Sequence, residues 1–160
     1  MHESRNRGFT LLELVIVMLI MAIVAALSYP SLSRGASTLH LRATGRDVIN
    51  TFRFAREKAV TEQTGMHVVV DREKQQLVLT DYLGDGVRTY VMPQDVKIQR
   101  VALAGTEVTD SSMVVRFLPN GSCESSEILL QSDKGSWLQI ATDPITGGAR
   151  VESDSREKAQ

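Results

Sequence analysis

The 160 residues include one cysteine, one tryptophan and four prolines, and only 5% are aromatic. A lone thiol, Cys123, cannot close an intrachain disulfide, so no disulfide framework holds this chain. The three histidines, His2, His40 and His67, stand far apart without metal-ligand spacing, which argues against a histidine metal site. No G-x-S-x-G, no H-E-x-x-H and no phosphate-cradling glycine loop occurs, so nothing gathers a nucleophile, a base and an oxyanion donor. Neither an enzyme nor a cofactor is expected. A net charge of −1 excludes a strongly basic nucleic-acid binder for the chain as a whole. With 42% hydrophobic and 23% charged residues, the chain is also not disordered.

What is present is unevenly spread. Of the 21 residues from Phe9 to Tyr29, 18 are hydrophobic, interrupted only by Thr10, Glu13 and Ser28. As a helix this run would rise about 31 Å, matching a bilayer core of about 30 Å. Arg5 and Arg7 precede it, so the positive-inside bias keeps the first residues in the cytoplasm and sends the rest across. A secretory signal peptide cut near Ala26-Leu27-Ser28 and a plain membrane anchor both fit the hydropathy. Neither explains Glu13, because a carboxylate within a membrane helix costs about 2.5–3.5 kcal/mol on insertion scales and calls for a partner.

The string Arg7-Gly8-Phe9-Thr10-Leu11-Leu12-Glu13-Leu14 resembles the processing site of type IV pilins and pseudopilins. The resemblance implies cleavage by a prepilin peptidase between Gly8 and Phe9 and methylation of the new amino terminus at Phe9. Glu13 then becomes the fifth residue of the mature chain, where the family's glutamate meets the terminal amine of a neighbouring subunit. Pro30 falls where many pilins bend their helix.

Beyond Tyr29 apolar residues recur at Leu32, Ala36, Leu39 and Ala43, then at Val48, Phe52, Ala55 and Ala59, broken once between Ala43 and Val48. This predicts an amphipathic continuation of the helix to Thr64, with Gly65 as its stop. Gly35 and Gly45 each cost about 1 kcal/mol in a helix, so packing or bending must compensate. From Met66 the period changes to two. Strands are expected at Met66–Asp71, Gln76–Thr80, Val87–Met92, Val96–Val101, Met113–Leu118, Glu127–Gln131, Trp137–Thr142 and Ala149–Glu152, separated by Gly, Pro, Asn and Asp turns. Trp137, Phe117, Phe52 and Phe54 read as core. The fold class is therefore α+β: a long N-terminal helix packed on a small antiparallel β domain. Five zones follow: a leader at 1–8, an apolar helix at 9–29, an amphipathic stem at 30–64, a β domain at 65–152 and a polar tail at 153–160.

Cys123 reads as a loop thiol beside a turn. Asp81 and Asp85 around Tyr82-Leu83-Gly84 faintly suggest a calcium loop, although a hairpin turn with solvated acids accounts for them and an EF-hand needs more oxygen ligands. Asn120-Gly121-Ser122 is a formal glycosylation sequon that an ordinary turn explains.

The β region extends the resemblance. Val114-Val115-Arg116-Phe117-Leu118-Pro119-Asn120-Gly121 is similar to a strand and turn of the GspH/FimT pseudopilins. Asp143-Pro144-Ile145-Thr146-Gly147 is similar to their last hairpin, and Phe52-Arg53-Phe54-Ala55-Arg56-Glu57-Lys58-Ala59 to the close of their helix. The resemblance implies a pilin-like minor pseudopilin of a type II secretion system at the tip of a periplasmic pseudopilus. Its expected partners are other minor and major pseudopilins, the prepilin peptidase, an inner-membrane assembly platform and the lipid bilayer. It would be a single-pass inner-membrane protein with its C-terminal domain in the periplasm. The alternative is a FimT-like minor pilin serving pilus biogenesis or DNA uptake. That subgroup's basic G-R-x-R motif is incomplete here, as Gly147-Gly148-Ala149-Arg150, and residues 65–160 carry 10 Lys/Arg against 14 Asp/Glu. Both features argue against DNA binding.

Overall fold

The computed structural model describes residues 10–154, with backbone alone for residues 26–34 and 154. The chain divides into two compact units, Met1–Ala36 and Ser37–Gln160. Helix α1 (Leu11–Glu62) begins in the first and ends in the second. Nine strands follow it: β1 (Met66–Asp71), β2 (Gln76–Asp81), β3 (Gly86–Val91), β4 (Val96–Leu103), β5 (Thr106–Glu107), β6 (Ser112–Phe117), β7 (Ser126–Ser132), β8 (Trp137–Thr142) and β9 (Ala149–Asp154). The eight expected strands are all present, each within two residues of its expected ends. The addition is β5, joined to β4 by Ala104 and Gly105 with φ of 49° and 79°. Two successive left-handed residues make a tight hairpin, and alanine in that role carries no sequence signal.

All pairings are antiparallel and form two sheets, a four-stranded one in the order β3-β2-β1-β6 and a five-stranded one in the order β5-β4-β7-β8-β9. Alternation puts Met66, Val68 and Val70 of β1, and Ile128 and Leu130 of β7, into the core. Leu41, Val48, Phe52, Ala55 and Ala59 of α1 join them, with the Phe52 and Phe117 rings 5.9 Å apart. Every buried apolar side chain among the described residues lies between Leu41 and Ala141, so the second unit holds the core by itself.

The buried stripe of α1 differs from the expected one. Leu39 and Ala43 are exposed, whereas Thr38, Leu41, Thr44 and Gly45 are buried. The stripe therefore runs unbroken at spacings of three and four, and the apparent gap before Val48 is filled by small or polar residues that a hydropathy pattern passes over. Leu32 lies outside the described side chains. Gly45 is the compensated glycine, since a Cβ there would come within 2.3 Å of Leu138 Cδ2, while Gly35 has nothing within 4 Å. The helix also stops earlier than Gly65. Gln63 takes the left-handed position (φ 51°), and the Thr64 N–H donates back to Ala59 O at 3.2 Å, a Schellman closure without glycine. Of the aromatic side chains expected in the core, Phe52 and Phe117 are fully buried, Trp137 is half-buried, and Phe54 is exposed beneath Arg88, whose guanidinium lies 5.9 Å from the ring centroid.

Candidate assembly segment and loop junction

The N-terminal segment is marked by the exposure of its apolar side chains. Leu11, Leu12, Leu14, Val15, Ile16, Val17, Met18, Leu19, Ile20, Met21, Ile23 and Val24 are all exposed, Leu11 by 83%. A contiguous apolar surface of this size on a folded chain marks contact with lipid or with other proteins. Glu13 is the acidic residue of the first helical turn. Thr10 stands just before the helix, and its hydroxyl accepts the Glu13 N–H at 3.3 Å. Thr10-Leu11-Leu12-Glu13 thus has the spacing of a capping box, and the Glu13 carboxylate sits at the positive end of the helix dipole. This local role is legible in the sequence as T-x-x-E.

Gly8 and Phe9, the expected cleavage pair, lie outside the described residues, as does the side chain of Pro30, whose backbone is helical within α1. Among the described residues no helix is long and apolar enough to cross a membrane. The described side chains of the run cover residues 10–25, about 24 Å of helix, and the expected span both begins and ends beyond them.

In the second unit three sequence-distant motifs meet. The β6–β7 turn closes through Gly121 N–H to Leu118 O at 2.9 Å, and the β8–β9 turn through Gly147 N–H to Asp143 O at 2.8 Å. Both turns lean on Arg56 of α1, whose Nε donates to Gly121 O at 3.2 Å. Gly121 (φ 84°) and Gly147 (φ 64°) are both left-handed. A Cβ on Gly147 would sit 2.1 Å from Gly121 O and 2.9 Å from Arg56 Cδ. The turns are further joined by the Cys123 N–H donating to Pro144 O at 3.1 Å.

Cys123 is consequently buried, not an open loop thiol, and its Sγ donates to Asp143 O at 3.5 Å. Burial pushes its thiol above the usual range. The native thiol should therefore react with a maleimide at least about tenfold more slowly than in urea, as timed mass spectra of the adduct would show. Asp143 is held below the usual carboxylate range by N–H groups of Thr146 and Ile145, at 3.0 and 2.9 Å, and it faces Arg150 at 3.7 Å. The one cation of the Gly147–Arg150 run is thus engaged within the turn.

The acidic loop after β2 has a structural use. Asp81 Oδ1 accepts the N–H groups of Leu83 and Asp85 at 3.0 and 2.8 Å, shaping the hairpin. Among the described residues no three His, Cys, Asp or Glu side chains gather as a metal site. Asn120 Oδ1 likewise accepts from the Ser122 N–H and hydroxyl. His40 meets Asp95, with Nδ1 2.5 Å from Oδ2, at the other end of the unit.

Residues 4–29 match the prokaryotic N-terminal methylation motif. The chain is 20% identical over 144 residues to type II secretion system protein H of Xanthomonas campestris pv. campestris, covering 90% of this chain and 82% of that one. Its fold is similar to that of the minor pseudopilin EpsH from the type 2 secretion system of Vibrio cholerae. One EpsH structure gives a TM-score of 0.60 at 9% identity, covering 72% of this chain and 97% of that one. A second gives 0.59 at 9% identity, covering 74% and 96%. The chain is thus similar in sequence to a type II secretion protein H and in fold to a minor pseudopilin. The two parts of the chain differ, one folded around its own core and one exposing its apolar side chains. The junction of Arg56, Gly121 and Gly147 lies within the folded part and orders the end of the domain where α1 terminates.

Proposed function

We propose that this chain is a GspH-type pseudopilin, a non-enzymatic structural subunit of a type II secretion pseudopilus, placed at its periplasmic tip, where it helps to initiate assembly. The row of exposed apolar side chains from Leu11 to Val24, with one carboxylate at Glu13, carries this reading. The precursor enters the inner membrane with residues 1–8 in the cytoplasm and its domain in the periplasm. Prepilin peptidase cuts between Gly8 and Phe9, and Phe9 is methylated. In lipid the apolar helix is solvated by acyl chains, and in a filament the stems of other minor and major pseudopilins replace them. Extraction by the assembly platform therefore exchanges one apolar environment for another, with little net hydrophobic cost. The new amine at Phe9 and the Glu13 carboxylate of adjacent subunits then neutralise each other where water is excluded, which sets axial register. Pro30 lets the helix bend between the filament core and the domain.

The direct test is the amino terminus of the membrane-extracted protein. Mass spectrometry should find N-methylated Phe9 as the first residue. A chain beginning at Met1 or Tyr29 would overturn the reading.

A further inference from the structure

A sheet edge presents unpaired N–H and C=O groups, and folded chains guard such edges. Three of the four edges here are guarded. β5 is two residues long. β9 carries the exposed charges Arg150 and Glu152. β6 is covered by its own loop: the Glu124 N–H donates to Arg116 O at 3.1 Å, and the Arg116 N–H donates to Glu124 Oε2 at 3.2 Å.

Among the described residues β3 has no such cover. The Met92 N–H donates to Gln75 O at 2.8 Å, and the register continues Val91↔Gln76, Tyr90↔Leu77, Thr89↔Val78 and Arg88↔Leu79. Antiparallel alternation then turns the backbone groups of Arg88 and Tyr90 toward β2 and those of Thr89 and Val91 outward. The register shift of this pair lies at Leu79/Thr80, beyond that stretch. Val87, Thr89 and Val91 are exposed, Val91 by 61%. On the other face of β3, Arg88 lies over Phe54 and lines a polar cleft of about 310 Å³ with Asp47, Asn50, Thr51 and Tyr90. Asp47 accepts the Tyr90 hydroxyl at 3.1 Å, and among the described residues no carboxylate pairs with Arg88.

We propose that β3 is a strand-addition site for an extended segment of a different protein subunit. That segment carries β-branched side chains at alternate positions and a carboxylate directed at Arg88. The open N–H and C=O groups of Thr89 and Val91 supply the backbone ladder, and the unpaired guanidinium supplies charge complementarity. A second copy of this chain does not fit the site, because β3 (GVRTYV) carries no acidic residue and pairing it with itself would set two Arg88 guanidiniums near each other without a carboxylate.

The test uses the full chain in detergent micelles and a fluorescein-labelled hexapeptide of alternating threonine and valine with one central glutamate. Fluorescence anisotropy should show saturable binding. Thr89→Pro removes an outward N–H and no ladder bond to β2, so it should weaken binding at least about tenfold with the melting temperature unchanged. Val91→Lys, which leaves the backbone intact, should weaken it as well. Exchanging the probe's glutamate for glutamine should weaken binding several-fold to the parent chain but not to Arg88→Gln. Absence of binding, or equal binding of a probe interrupted by proline, would overturn the proposal. So would specific disulfide dimers of Thr89→Cys in a Cys123→Ser background, which would assign the edge to a second copy. The amino-terminal mass of the same preparation reports on the processing reading separately.

Discussion

Glu13→Leu should still insert in the membrane and still be cleaved at Gly8–Phe9, yet fail to join the pseudopilus. Leucine removes a carboxylate that costs about 2.5–3.5 kcal/mol to place in a membrane helix, so insertion becomes easier. The cleavage bond lies outside the substituted turn. On the proposed pairing, what is lost is the counter-charge for a neighbour's terminal amine, and leaving one partner of a buried ion pair alone costs about 3–5 kcal/mol. Spread over an equilibrium between lipid and filament, that shifts incorporation by two orders of magnitude or more. Co-purification of the leucine variant with the other pseudopilins at parental levels would refute the pairing. Glu13→Gln separates the charge from the cap, because glutamine keeps the T-x-x-E/Q geometry with Thr10 and lacks the charge. A glutamine chain that assembles normally would make Glu13 a capping residue and nothing more.

Gly147→Ala should destabilise the domain by about 2–5 kcal/mol, combining left-handed strain with overpacking. A Cβ at this position would stand 2.1 Å from the carbonyl oxygen of Gly121, at a φ of 64°. Neither obstacle is a side chain free to rotate away, so the β8–β9 turn would have to leave Arg56. Gly148→Ala is the control, since its Cβ would meet only Thr146 Oγ1, at 3.3 Å, without a left-handed φ. The urea midpoint of the unit Ser37–Gln160 decides the comparison. Equal midpoints for the two variants would show that the junction contributes nothing to stability.

The strands were legible because one face of each packs on the core, and burial writes a period of two directly into residue type. The end of α1 was misplaced because Gln63 accepts a left-handed conformation that composition assigns to glycine. Phe54 was read as core on hydrophobicity alone, whereas its ring supports Arg88 at the surface. The position of Glu13 was legible from the chain alone. Its cap with Thr10 is likewise local, at a spacing of three.

The sequence by itself determined the apolar amino-terminal run, its single acid, the processing string and the change from helical to strand periodicity. All of these are local, set by residue type at fixed spacing along the chain. Only the tertiary structure decided that Arg56, Gly121 and Gly147 share one junction, that Cys123 is buried beneath it, and that β3 is the open edge of its sheet. Those facts depend on which strands pair, on how closely the two turns approach, and on a side chain meeting a backbone 65 residues away. Distances of that kind leave no periodic trace, because they arise from packing and not from local preference.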